Sequence, residues 1–191
     1  AEPTETEETV EETTGETVDG VEANEAADGF NYEIRNGGAS ITGYTGSSSR
    51  MVIPEELDGK KVTSIGFGAF QDNSLLTEVV IPETVTSISG YAFRNCINLR
   101  KVNLPKRLTS IGSLSFANCV SLTAIEIPKS LKEVSSTDGP FKGCAKLADV
   151  TFEAGITKIP AYLFRNCTGF TTITLPNGVT SIGSNAFAST T

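Results

Sequence analysis

Four cysteines are the side chains with the clearest potential for chemistry in this sequence. They are Cys96, Cys119, Cys144 and Cys167, spaced 23, 25 and 23 residues apart. Because one cysteine falls in each repeat of the chain, we expect them to stack in a row at about 4.8 Å, the spacing of paired strands. A row cannot surround a zinc ion tetrahedrally, and parallel Cβ vectors would strain a disulfide even though the Cα spacing permits one. We therefore predict four buried, reduced thiols that act as small apolar fillers.

Other catalytic chemistry is poorly supported by the composition. The sequence contains no histidine, which removes the usual general base, the imidazole metal ligand and any Ser–His or Cys–His nucleophile pair. The acidic residues after position 29 are scattered and form no recurring pair. The glycines fall at repeat turns, as at Gly66, Gly112 and Gly183, and form no phosphate-binding loop. We predict that the protein is not an enzyme and has no catalytic residue, cofactor or metal.

A repeat of 23 residues positions the cysteines. It is anchored by an apolar-Pro dipeptide, which occurs as Ile81-Pro82, Leu104-Pro105, Ile127-Pro128 and Leu175-Pro176. Apolar residues two apart precede each anchor and predict a short strand at about 78–81 and its equivalents, and a second extended segment follows each proline. An aromatic column, placed at short helical turns, consists of Phe70, Phe93, Phe116, Phe141, Phe164 and Phe187. This fixed period predicts a right-handed repeat solenoid, mainly β, with two parallel ladders.

The first 29 residues differ from the rest of the chain in charge. They contain 11 acidic and no basic side chains, whereas residues 30–191 contain 12 acidic and 15 basic ones. A Glu- and Thr-rich segment with few large apolar groups cannot offset its ordering entropy, so we predict a disordered acidic linker over 1–29 and the solenoid over 30–191. The solenoid has no Lys/Arg stripe, which argues against a nucleic-acid partner. No run of about 18 apolar residues predicts a transmembrane segment.

A hairpin is predicted before the first coil of the solenoid. Apolar residues alternate from Phe30 to Ile34, the dipeptide Asn36-Gly37 follows, and alternation resumes at Ala39. Asn-Gly between alternating segments is typical of a two-residue β-turn. We therefore predict an N-terminal β-hairpin cap within residues 30–50.

The C-terminal repeat is predicted to be incomplete. Phe187 repeats the core aromatic residue, but no closing Cys-x-x-Leu segment follows it. We expect Val179, Ile182 and Phe187 to be partly open to water and a strand at 172–175 to have an unpaired edge. Because such an edge is a template for another chain, self-association through this coil is expected unless further repeats cover it.

The repeat resembles the leucine-rich repeat of BspA-type bacterial surface proteins. The phrase that carries the resemblance is Leu99-x-x-Val102-x-Leu104-Pro105-x-x-Leu108-x-x-Ile111-Gly112-x-x-x-Phe116-x-x-Cys119. The departures from it are Asn73 in the Cys column, Gly143 in the Asn column and Glu153 in the Pro column. The resemblance implies a leucine-rich repeat fold. It also implies a secreted or surface-displayed bacterial protein that binds other proteins, often in adhesion to a host or to other bacteria.

The outward residues of the predicted strands are the candidate ligand-binding face. They are Glu78, Val80, Lys101, Asn103, Ala124, Glu126, Asp149, Thr151, Thr172 and Thr174. Repeat proteins commonly use such an extended face for recognition, although a plain solvated sheet face would have the same small, polar composition. The first hypothesis is a non-catalytic protein-binding or adhesion module outside the cell. A structural spacer and an accessory binding domain of a larger secreted enzyme are the alternatives.

Overall fold

The computed structural model describes residues 29–134 and 138–190. Residues 1–28, which contain nearly all of the predicted acidic linker, lie outside the described residues. The described chain is a β-solenoid of about six coils whose successive strands pair in parallel. This confirms the fold predicted from the 23-residue period.

The N-terminal hairpin is formed by β1 (Phe30–Arg35) and β2 (Gly38–Tyr44), which pair antiparallel. Its turn residues Asn36 and Gly37 both have positive φ, of 50° and 81°, as a two-residue hairpin turn requires. Strand β2 then pairs in parallel with the first coil, so the hairpin covers that coil as predicted.

The first ladder contains the strands that precede the proline anchors. It is divided into two sheets, one of β3 (Arg50–Val52), β6 (Glu78–Val80) and β8 (Lys101–Val102), and one of β10 (Ala124–Ile127) and β12 (Asp149–Phe152). Inward residues such as Val79 and Ile125 are buried, as the alternation predicted. The prediction of a strand at 172–175 is wrong, because these residues do not pair with β12. Thr172 and Thr174 are exposed.

The second ladder follows the prolines. Its longest sheet continues from the hairpin through β5 (Lys60–Ile65), β7 (Ser87–Ile88), β9 (Ser110–Ile111) and β11 (Glu133–Val134), and the short β4 (Glu56–Leu57) pairs antiparallel with β5. A separate pair consists of β13 (Lys158–Ile159) and β14 (Ser181–Ile182). The ladder is therefore interrupted between β11 and β13.

The predicted helical turns are hydrogen-bonded turns, and no helix occurs in residues 29–134 and 138–190. Two positions of most turns have left-handed backbone, as at Tyr91 and Asn95, both with φ of 60°, and the turn of the fourth coil has one, at Gly143. Such residues interrupt a right-handed helix. Alternate N–H groups of the turn donate instead to the next coil: Tyr91 N to Ser113 O (3.0 Å), Phe93 N to Ser115 O (2.7 Å) and Asn95 N to Ala117 O (2.8 Å). The turns thus form a third ladder along the solenoid.

The aromatic column is a continuous stack inside the coils. Ring centroids of successive members from Phe70 to Phe187 are 4.9, 5.1, 5.5, 5.6 and 5.7 Å apart, with interplanar angles of 5° to 22°. Every member except Phe187 is buried. Because each ring is covered by the rings of its neighbours, burial of one coil depends on the coils beside it.

The departures from the repeat phrase have local structural reasons. Asn73 Oδ1 accepts hydrogen bonds from Leu75 N (3.0 Å) and Leu76 N (3.3 Å). Gly143 has φ of 73°, and an added Cβ would collide with Asn118 Oδ1. Glu153 accepts from Lys129 N through Oε2 (3.0 Å). Asn73 is therefore accommodated within its own coil, and Gly143 and Glu153 are accommodated by contacts with the preceding coil.

Candidate functional site

The ten residues of the predicted ligand face lie on the outer side of the first ladder or just beyond it. Glu78 and Val80 are half-buried, and the other eight are exposed. The residues brought into register on adjacent strands are Glu78 with Lys101, Ala124 with Asp149, and Glu126 with Thr151. Thr172 and Thr174 lie off the sheet, where they line a groove of about 530 Å³ beside β12. The face is therefore not one continuous sheet over five coils.

Several polar groups of this face already have partners within the chain. Arg50 Nη2 lies 3.0 Å from Glu78 Oε2, although both side chains keep substantial exposure. The side-chain amide of Asn103 accepts from Ile81 N (2.7 Å) and donates to Ile81 O (2.8 Å). Asn103 thereby joins two coils, which sequence reasoning did not anticipate. Because Glu78 and Asn103 already have partners within the chain, the outward residues of β10 and β12 are the part of the face that is more accessible to a ligand.

The four cysteines are buried and unpaired, as predicted. Three of their thiols donate to the carbonyl of a phenylalanine in the preceding coil: Cys96 to Phe70 O (3.1 Å), Cys119 to Phe93 O (3.2 Å) and Cys144 to Phe116 O (3.1 Å). Burial raises the pKa of the Cys96 thiol to about 12, and it raises the pKa of Cys119 and Cys144 above the ordinary range. Neutral buried thiols are poor nucleophiles and poor metal ligands, so this column is structural.

A second exposed surface lies on the turns of the first three coils. Six large hydrophobic side chains are exposed among the described residues, and four belong to this surface: Phe67 (71%), Leu75 (54%), Ile97 (45%) and Val120 (39%). Phe67 contacts Tyr91 at a centroid distance of 5.0 Å, and the Arg94 guanidinium lies 5.1 Å from the Tyr91 ring. Phe67, Tyr91 and Arg94 therefore contact one another at the start of the turns, whereas Leu75, Ile97 and Val120 stand at their ends. The four exposed hydrophobic residues, Tyr91 and Arg94 are together called the turn face.

The backbone of the turn face holds bulky residues in an unfavourable conformation. Tyr91 and Leu114 have φ of 60° and 56°, where a side chain costs about 1–2 kcal/mol relative to glycine. Gly68 and Asn185, at the equivalent position of other coils, adopt the same φ with residues that tolerate it. The repeat therefore does not require an aromatic or aliphatic residue at this position.

The family follows from comparison with known proteins. The BspA type leucine rich repeat region matches residues 63–191 in six copies. The chain belongs to this family. No curated protein sequence matches this BspA-type chain.

Solved structures of bacterial leucine-rich repeat proteins are similar to this BspA-type chain. A T. pallidum leucine-rich repeat protein is 28% identical with a TM-score of 0.71, over 83% of this chain and 80% of that one. A leucine-rich cell surface protein of Faecalibacterium prausnitzii A2-165 is 29% identical with a TM-score of 0.61, over 86% of this chain and 52% of that one. This chain thus spans about half of the F. prausnitzii protein. The described residues contain no helix long and apolar enough to cross a bilayer.

The turn face was not predicted from the sequence, because the prediction used only the positions at which the same residue type recurs in successive coils. The turn face could have been predicted from differences in residue type between equivalent positions of successive coils. Ile97 and Val120 stand directly after a cysteine, where later BspA-type coils of this chain have Ala145 and Thr168. Phe67 likewise stands where the next coil has Gly90. Apolar residues that appear in some coils only, at outward positions, are not needed by the repeat.

Proposed function

We propose that this chain is a non-catalytic protein-binding module of a secreted or surface-displayed bacterial protein, and that it recognises partners on host or bacterial surfaces in adhesion. Its BspA-type repeats and its similarity to a protein described as a cell surface protein support this location. Extended repeat surfaces are widely used for protein recognition. The family membership supports the class of function.

The turn face is the observation that carries the proposal. Isolated exposed apolar residues are normal, but a group of them on neighbouring coils favours a protein interaction site. Tyr91 and Arg94 add the residue types that dominate interface energetics. The outer face of the first ladder is proposed as a second, more polar contact surface, with Glu126 and Thr151 at its open part.

Capture of surface proteins tests the proposal and distinguishes the two surfaces. We expect the immobilised 191-residue chain to retain a defined set of proteins from extracts of host-cell or bacterial surfaces. Replacing Phe67 by Ala and Ile97 by Ser should reduce their retention by about tenfold or more, as loss of interface anchors does. Retention is measured by quantitative mass spectrometry against a blank support.

A matched control removes an exposed apolar side chain elsewhere. Ile34→Ser alters the hairpin, where Ile34 is 49% exposed, and should leave retention unchanged. Glu126→Lys with Thr151→Lys tests the first ladder in the same way. If no protein is retained above the blank, the proposed module is refuted in favour of a spacer. If Ile34→Ser lowers retention as much as the turn-face variant, the assignment of binding to the turn face is refuted.

We also propose that the last coil makes the 191-residue polypeptide self-associate. Ile182 is 52% exposed, and Val179 and Phe187 are only partly buried, as expected from the sequence. Contact between two such coils would bury this apolar surface. Light scattering over a concentration series should show a rising mean mass, and Ile182→Lys should suppress the rise. A constant monomer mass in the unaltered chain would contradict the proposal.

A further inference from the structure

A groove of about 630 Å³ lies where the second ladder is interrupted, between β11 and β13. Its floor contains the buried side chains of Leu131, Ile156 and Ile159. On the far side it is bounded by β14, where Ile182 is half exposed. The size lies within the usual range of binding pockets.

One contribution to the interruption can be identified in the sequence. In other coils the N–H of the residue after the second-ladder strand donates to the preceding strand, as from Gly66 N to Ile41 O (2.7 Å), Ser89 N to Ile65 O (2.8 Å) and Gly112 N to Ile88 O (2.7 Å). Pro160 occupies this position in the fifth coil. Because proline has no N–H, it cannot donate the equivalent bond to β11. The two strands are therefore free to separate at this point.

The charged side chains that line the groove are all positive. Lys129, Lys132 and Lys158 line it, and no carboxylate is among its lining residues. Lys129 Nζ pairs with Glu153 Oε1 at 3.3 Å. Lys132 and Lys158 are exposed and have no ion pair with any described residue. Two ammonium groups are thus available to a ligand above an apolar floor.

We propose that this groove binds an extended acidic segment of a partner protein. An extended segment directs alternate side chains to the same side, so carboxylates at every second position can face Lys132 and Lys158. The main chain of such a segment can pair with strand edges that face the groove. The inference rests on the proposed protein-binding function and names the chemical class of a partner.

The direct test uses a fluorescent peptide of about ten residues with Glu and Val at alternate positions. Fluorescence anisotropy with the full chain should show saturable binding that weakens as salt rises, because exposed charges are screened. Replacing Glu by Gln in the peptide should weaken binding by about tenfold or more. Equal binding of the Gln peptide would overturn the proposal.

Two variants locate the site on the chain. Lys132→Glu with Lys158→Glu should weaken peptide binding by about tenfold or more. The matched control, Lys60→Glu with Lys61→Glu, changes the net charge equally in the first coil, where both residues are exposed, and should have a much smaller effect. An equal loss in both variants would show nonspecific charge attraction and overturn the assignment. Circular dichroism confirms that each variant is folded.

The groove geometry is tested by Pro160→Gly. This change restores the N–H donor that the other coils use, so the strands can close and peptide binding should fall although every lysine is kept. Unchanged binding in this variant would overturn the role of the interruption.

Two further outcomes separate the possible occupants and sites. One variant of the full chain has Gln in place of Glu7, Glu8, Glu11 and Glu12. This variant should bind the peptide with unchanged affinity. Tighter binding would identify residues 1–28, and not a partner protein, as the occupant of the groove. The turn-face variant should still bind the peptide. If the peptide fails to bind while surface proteins are still captured, this inference fails and the proposed function stands.

Discussion

Replacing Phe116 by Ala should lower the free energy of unfolding by about 3–5 kcal/mol, as truncation of a large buried aromatic residue does. Phe116 is fully buried and stacked between Phe93 and Phe141, at centroid distances of 5.1 and 5.5 Å. Its removal leaves a cavity that adjacent coils, joined by strand and turn ladders, cannot easily close. Urea unfolding followed by circular dichroism measures the change.

Phe187→Ala is the matched control for this prediction. Phe187 belongs to the same stack but is only partly buried, and among the described residues it has one stacked neighbour, Phe164 at 5.7 Å. The same substitution should therefore cost much less at Phe187 than at Phe116. Equal losses at the two positions would contradict the view that stability comes from stacking between coils.

The fold could be predicted because its core repeats. Core positions such as Phe116, Cys119 and Leu122 have the same neighbours in successive coils. The same type of residue is therefore required at the equivalent position of each coil, and the requirement is visible as a repeat in the sequence. The parallel pairing and the burial of the cysteines follow from that repetition. The hairpin was equally predictable, since Asn36-Gly37 has a strong local turn preference.

The surfaces were harder to predict because they depend on what differs between coils. Pro160 contributes to the interruption of the second ladder because it lacks a main-chain N–H. This effect can be predicted only when the hydrogen-bonding partners of the main chain in adjacent coils are known. Asn103 was expected to face a ligand, yet its amide joins two coils through Ile81. The strand expected at 172–175 did not form, although these residues repeat the apolar columns of the other coils. The proposed function therefore depends on surface positions that differ from coil to coil, and the 23-residue period does not predict them.

Raising the pH should destabilise the folded chain through its buried thiols. Burial raises the pKa of Cys96 to about 12 and raises those of Cys119 and Cys144 above the ordinary range, whereas an unfolded chain has thiol pKa values of about 8.5. Below about pH 8 both states keep these protons and the full stability is present. Above it only the unfolded state ionises, so stability falls as pH rises, until the folded thiols titrate as well. The loss is about 1.4 kcal/mol per thiol for each pH unit, or about 4 kcal/mol for the three.

A comparison with Cys119→Ala isolates the thiol contribution from that of lysines and tyrosines, which also titrate at high pH. Both proteins are unfolded in urea at about pH 8 and at about pH 10, and the quantity compared is the change in unfolding free energy between the two. The variant starts from a lower stability because it contains a cavity. Its loss should be smaller by about one quarter to one third of the thiol contribution, since one of four buried thiols is gone and burial also raises the pKa of Cys167. An identical loss in both proteins would mean that Cys119 ionises equally in the folded and unfolded states, and that it is not held in a sealed core.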